Sequence, residues 1–161
     1  MNKPISIIMG SQSDLETLKE TIGLLREFKV GFELKVLSAH RAPKDLAQYV
    51  EAAPKKGAKV FIAAAGGAAA LAGVIASHTT LPVIGIPIET KSLKGLDSLL
   101  STVQMPSGIP VASMAIGKAG AKNAAIFALE ILGITDKKIN AGLDNYKKQM
   151  RAKIKKIRIK I

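Results

Sequence analysis

The chain has 161 residues, 48% hydrophobic and 22% charged, with 24 Lys and Arg against 12 Asp and Glu. That length suits one domain with a continuous core; the composition is too apolar for a disordered protein, and no apolar run reaches the ~18–20 residues of a membrane-spanning helix. Without cysteine there is no disulfide, thiolate metal site or cysteine nucleophile, and two histidines leave no histidine-rich metal site.

The formal charge of +12 is concentrated at one end: residues 137–161 hold ten Lys or Arg and one acid, Asp144. Such a helix could meet an anionic surface, but the chain lacks the aromatic interleaving by which single-strand binders stack bases, so nucleic acid is not expected as a partner. The expectation is a single domain over 1–161, with 137–161 a basic helical extension that is solvated or faces another subunit. Met1 to Pro4 lead straight into a strand-like run rather than a signal-peptide apolar region, which makes a cytoplasmic location the default and a membrane partner unexpected.

Apolar strand-like runs alternate with segments of helical spacing, the pattern of a parallel sheet covered on both faces. Ile5 to Met9 reads as the first strand, and Ser11, Ser13 or Asp14 can cap a helix with Leu15, Leu18, Ile22 and Leu25 at core spacing. Phe32 to Leu37 is the second strand, placed near a sheet edge by Glu33 and Lys35, and Pro43 suits the first turn of a helix to about Ala53. Val60 to Ala65 is the third strand, followed by Gly66-Gly67 and a small-residue helix from Ala68 to about Ser77. Leu81 to Pro87 is the fourth strand, Ile88 to Gly95 a loop and Leu96 to Val103 a short helix. Val111 to Ile116 is the fifth strand, and a helix runs from about Ala119 to Leu132. The last helix starts near Lys138 with Ile139, Leu143, Tyr146 and Met150 on one face; the Lys-Ile alternation from Lys153 to Ile161 fits either a fraying helix or a strand-like extension.

In such sheets ligands sit outside the carboxyl ends of the strands, near the point where strand order reverses. Those ends are Gly10-Ser11-Gln12-Ser13-Asp14, Ser38-Ala39-His40-Arg41 and Gly66-Gly67-Ala68-Ala69. They supply hydroxyls, a carboxylate, an imidazole, a guanidinium and glycine amides, a set suited to a phosphorylated sugar. Imidazole exchanges protons near neutrality, and guanidinium offers a fixed fork for phosphate. The first loop also reads as an ordinary capping turn; it lacks the glycine spacing of a dinucleotide site and the Lys-Ser/Thr ending of a Walker loop. His78, where the third helix should end, reads as a helix-end partner or surface residue. Gly66-Gly67 either permits tight packing or lets amides, with those of Ala68 to Ala70, approach a ligand.

These loops, together with Leu81 to Pro87, Asp97 to Ser101, Val103 to Ala112 and Asn123 to Ala125, resemble class I N5-carboxyaminoimidazole ribonucleotide mutase, in order from residue 5 to about 132. The resemblance implies a three-layer α/β flavodoxin-like fold with a parallel five-stranded sheet and a C-terminal helix, assembled as a homo-octamer with active sites at subunit contacts. It implies carboxylate transfer from the exocyclic nitrogen of a ribonucleotide to ring carbon four in purine (IMP) biosynthesis, without metal, ATP or organic cofactor. Carried over, His40 is the general acid/base; Ser11, Ser13, Asp14 and Arg41 take the ribose phosphate; Ser38, Ala39, Gly66, Gly67 and Ala68 line the base and carboxylate pocket. One departure stands at Ala70 and Ala72, where most class I relatives have His and Pro. It keeps a class II reading, direct carboxylation of aminoimidazole ribonucleotide, as the alternative, and behind that a non-catalytic nucleotide- or nucleic-acid-binding module.

Overall fold

A computed structural model describes residues 3–159. Strands β1 (Ile5–Met9), β2 (Phe32–Val36), β3 (Val60–Ala65), β4 (Val83–Pro87) and β5 (Ala112–Ser113) form one sheet in the order β2-β1-β3-β4-β5, every neighbour parallel. This is the flavodoxin-like order. From β1 the chain steps outward to β2 and then crosses back to β3, so the reversal lies beside β1 at the carboxyl end of the sheet. β1, β3 and β4 are buried and, apart from Ser6, apolar, as strands covered on both faces tend to be, while β2 exposes Lys35 and Val36 at the edge.

Alternate strand residues enter different cores. Ile5, Ile7, Met9, Ile62, Ala64, Ile84 and Ile86 pack against α1 (Leu15–Glu27), α5 (Gly117–Gly133) and α6 (Lys137–Lys156). Ile8, Phe61, Ala63 and Val83 pack against α2 (Pro43–Ala52) and α3 (Leu71–Ser77). α4 (Leu96–Val103) lies so close to β4 that a Cβ on Gly85 would collide with Thr102 Cγ2. Glycine at 85 thus lets this helix approach the sheet. Gly120 serves a different approach: a Cβ there would collide with the Ala115 carbonyl, so glycine lets the connection from β5 fold close against the first turn of α5.

The structure departs from the sequence reading in several places. β2 ends at Val36, although the Leu37 amide still donates to the Met9 carbonyl at 3.0 Å. α3 begins at Leu71 rather than Ala68, because the Ala69 and Ala70 amides turn back to the carbonyls of Gly67 and Ala68, each at 2.8 Å. β5 keeps two residues of an expected six, having a ladder partner on one side only, and α5 begins at Gly117. The basic end is helical through Lys156, which removes the strand-like alternative up to that point; Lys160 and Ile161 lie outside the described residues. Among the described residues no helix is long and apolar enough to cross a membrane.

Candidate active site

Beyond β1 the Gly10 amide still bonds to the Ala64 carbonyl at 3.0 Å, and the chain then enters a single 3-10 turn over Gln12–Asp14. Ser11 and Asp14 close that turn as a reciprocal capping box: the Ser13 amide donates to Ser11 Oγ, and the Ser11 amide donates to Asp14 Oδ2 at 3.1 Å. The Ser13 hydroxyl donates to Ser11 Oγ at 2.9 Å and lies 3.3 Å from Asp14 Oδ1. Burial pushes the Asp14 carboxyl above the ordinary aspartate value, while the Ser11 amide, the Ser13 hydroxyl and the Arg41 charge pull it down.

The loop after β2 is latched onto this turn. The Arg41 guanidinium donates to the Gly10 carbonyl at 3.0 Å and, through Nε, to Ser38 Oγ at 3.3 Å, and Ser38 Oγ also accepts the Arg41 amide. Arg41 is thereby held across two loops while its side chain remains exposed. His40 stands beside it, also exposed, with no hydrogen bond from its ring to another described residue.

Small apolar residues face this polar group. Ala65, Gly66, Ala68, Ala70, Leu71 and Ile88 line the opposite wall, with Glu89 at the rim. Gly67 adopts φ +69°, a left-handed conformation that glycine takes without strain. Its amide donates to Ser98 Oγ at 3.0 Å, and its carbonyl accepts from the Ser101 hydroxyl at 3.3 Å.

Together the loops enclose a cleft of about 650 Å³ at the carboxyl end of the sheet. It gathers Ser11, Ser13, Asp14, Ser38, Ala39, His40, Arg41, Gly66 and Ala68 from three separate stretches of sequence. Gly67 is not in the lining, since its polar groups turn toward α4. The expected row of free amides over Ala68 to Ala70 is also reduced, because those of Ala69 and Ala70 are taken up by their own turn. Thr17, Leu71, Ile88 and Glu89 join the lining without having been singled out. Thr17 follows Asp14 by one helical turn, and applying the carboxyl-end rule to β4 as well as β1 to β3 would have found Ile88 and Glu89.

A cavity of about 1090 Å³ beside Phe127 and Ile109 is larger, but its one imidazole, His78, is paired with Glu51 at 3.0 Å in a surface contact. That pairing matches the helix-end reading of His78. A third cavity, about 500 Å³ between Phe28 and Tyr146, contains no histidine. Among the described residues, the carboxyl-end cleft combines an unengaged imidazole, an arginine and a hydroxyl-rich turn, which these two cavities do not. Such a set of groups can exchange protons with a small anionic molecule, and the alanine and leucine side chains offer an apolar surface beside it.

A family model described as AIR carboxylase matches residues 4–153. An N5-carboxyaminoimidazole ribonucleotide mutase of Pyrococcus horikoshii is 55% identical over 150 residues, covering 93% of this chain and 84% of that protein. Another mutase, of Saccharolobus solfataricus, is 51% identical, with 91% and 92% covered, and one of Bacillus subtilis is 53% identical, with 89% of each covered. The crystal structure of Treponema denticola PurE superposes with a TM-score of 0.85 at 27% identity, over 93% of this chain and 92% of that one.

Proposed function

The chain belongs to the AIR carboxylase family, and from that premise we propose that the carboxyl-end cleft is where it carries out the N5-carboxyaminoimidazole ribonucleotide mutase reaction of purine biosynthesis. The enzyme is an isomerase: the carboxylate leaves the exocyclic nitrogen and is bonded again at ring carbon four. His40 is the acid/base. Its imidazolium gives a proton to the nitrogen as the nitrogen–carbon bond breaks and carbon dioxide is released. Carbon four then attacks the carbon dioxide, and the neutral imidazole removes the ring proton, returning His40 to its starting state. The cycle balances with one proton carrier and no co-reactant.

The observation that carries this reading is the position of His40, exposed and unengaged in the same cleft as Arg41 and the Ser11–Asp14 turn. Arg41 meets the phosphate with its remaining guanidinium donors, while Ser11, Ser13 and Asp14 hold the ribose phosphate portion. Ser38, Ala39, Gly66 and Ala68 surround the base and the migrating carboxylate, and Gly67 contributes through backbone shape. The wall of alanines restricts the released carbon dioxide to the vicinity of carbon four, a proximity effect.

We place the whole of 1–161 in one domain, its basic extension included, and assign a cytoplasmic homo-octamer. Leu93, Leu96, Leu100 and Val103 stand exposed along α4 and its approach, an apolar surface that favours burial against another subunit. Supplying the purified protein with N5-carboxyaminoimidazole ribonucleotide, or with aminoimidazole ribonucleotide and bicarbonate, tests the reaction. The mutase converts the first; turnover of the second alone would overturn the assignment in favour of direct carboxylation.

A further inference from the structure

We infer that Ser98 of α4, which does not line the cleft, is a positioning residue for the reaction: its hydroxyl clamps together the segments after β3 and β4 that form the apolar wall. The hydroxyl donates to the Ile88 carbonyl at 2.7 Å and accepts from the Gly67 amide at 3.0 Å, and Ser98 is 0% exposed. One buried oxygen therefore satisfies a backbone group from each segment. The residues at stake are the neighbours: Gly66 and Ala68 flank Gly67, and Ile88 is itself in the lining beside Glu89.

The surrounding contacts favour a clamp over a packing hydroxyl. Thr102, one turn later, sits over Gly85, so α4 lies deep enough for Ser98 to reach backbone in two strands' loops. The same region adds further ties: the Ser101 hydroxyl donates to the Gly67 carbonyl, and the Thr90 hydroxyl donates to Asp97 Oδ1 at 2.8 Å while its Oγ1 accepts the Gly95 amide. Loss of the Ser98 oxygen leaves the Gly67 amide and the Ile88 carbonyl without this partner, so that beyond the Ile88 amide to Ala65 carbonyl bond at 2.9 Å the two segments lose their buried tie and can shift relative to each other. A shift approaching 1 Å at a reacting group is enough to slow chemistry by ~10²-fold. The polar wall is held independently through Arg41, Ser38 and Gly10, so substrate capture should survive the change.

The inference rests on the carboxyl-end cleft being the reaction site. Steady-state kinetics on Ser98→Ala and Ser98→Cys test it, with Thr21→Val as the comparison: Thr21 is another fully buried hydroxyl, bonded to the Ala121 carbonyl at 2.7 Å on the opposite face of the sheet. Ser98→Ala is expected to lower kcat ~10- to 100-fold with KM changed less than about 3-fold, Ser98→Cys to lie between it and the parent, and Thr21→Val to lose stability with kcat unchanged. Should Ser98→Ala not fold, Ser98→Cys decides alone. Either Ser98 variant folded with parental kcat and a stability loss like that of Thr21→Val overturns the inference. Amide exchange at Gly67 without substrate should quicken in the Ser98 variants and stay unchanged in Thr21→Val; unaltered exchange also overturns it. Because exchange needs no turnover, failure of the clamp is distinguishable from failure of the mutase reading, which the unmutated enzyme reports in the same assay.

Discussion

Around the cleft, the loops after β1 and β2 hold one another through hydrogen bonds that reach the surface, whereas the segments after β3 and β4 are tied by a hydroxyl with no exposed surface. Surface hydrogen bonds exchange readily with water, so Arg41 and Ser38 can trade partners when an anion arrives. The buried tie on the other side cannot be replaced by water without opening the α4 contact. The difference assigns binding adaptability to the polar wall and fixed shape to the apolar one. It also predicts that damage to the two walls will be read out differently: lost binding or proton transfer with stability kept in the first, and lost kcat or stability with binding kept in the second.

The sharpest break comes at His40. His40→Asn should reduce kcat by ~10²–10⁴-fold, the range for a general acid/base, with ribonucleotide affinity and thermal unfolding close to those of the parent. Substantial remaining turnover would remove His40 from the proton-transfer role. Leu71→Ala strikes the apolar wall at a side chain 2% exposed, and should cost about 2–5 kcal/mol in urea unfolding. A stability change below about 0.5 kcal/mol would mean that this wall is not a rigid part of the core. Arg41→Lys replaces the fork with a point charge and should weaken binding by about 1.5–3 kcal/mol, with unfolding unaffected; calorimetric titration with the ribonucleotide measures it. Unchanged affinity would place the phosphate elsewhere.

The smallest effect concerns Asp14. Its carboxyl holds a proton more tightly folded than unfolded, so the native state binds more protons between the two values. The contribution of Asp14 to stability therefore falls as pH rises from about 3.8 through the raised folded value, and is level above it. Asp14→Asn should lack that fall. Parallel stability–pH curves for the two proteins, measured by urea unfolding, would show that burial of Asp14 carries no such cost.

The polar wall was legible in sequence because its chemistry is carried by side-chain type. His40, Arg41 and Asp14 announce themselves wherever they stand, and the rule for parallel sheets places all three at strand ends. β1, β3 and β4 were legible for a related reason, since strands covered on both faces read as near-continuous apolar runs, broken in β1 only by Ser6, whose buried hydroxyl pairs with Tyr49. The clamp was hidden because hydropathy orients α4 the wrong way round: Ser98 and Thr102 are buried, while Leu96, Leu100 and Val103 face outward. That inversion needs Gly85 beneath the helix and unsatisfied backbone groups beside it, both of them consequences of tertiary packing. The late start of α3 was hidden similarly. Ala68 to Ala70 are good helix formers, but Gly67 at positive φ, with its amide and carbonyl both bonded to α4, diverts the chain into tight turns first.

Whether one cleft divides phosphate capture and proton transfer between Arg41 and His40 is decided by a crystal structure with 4-carboxyaminoimidazole ribonucleotide bound. The phosphate is expected on the Arg41 guanidinium beside the Ser11–Asp14 turn, the ring against Ala68 and Ala70, and the His40 imidazole at hydrogen-bond reach of the reacting atoms, ~3 Å. A ligand seated instead beside His78 and Phe127, or one lying in the cleft with its phosphate away from Arg41 and His40 turned to solvent, would contradict it.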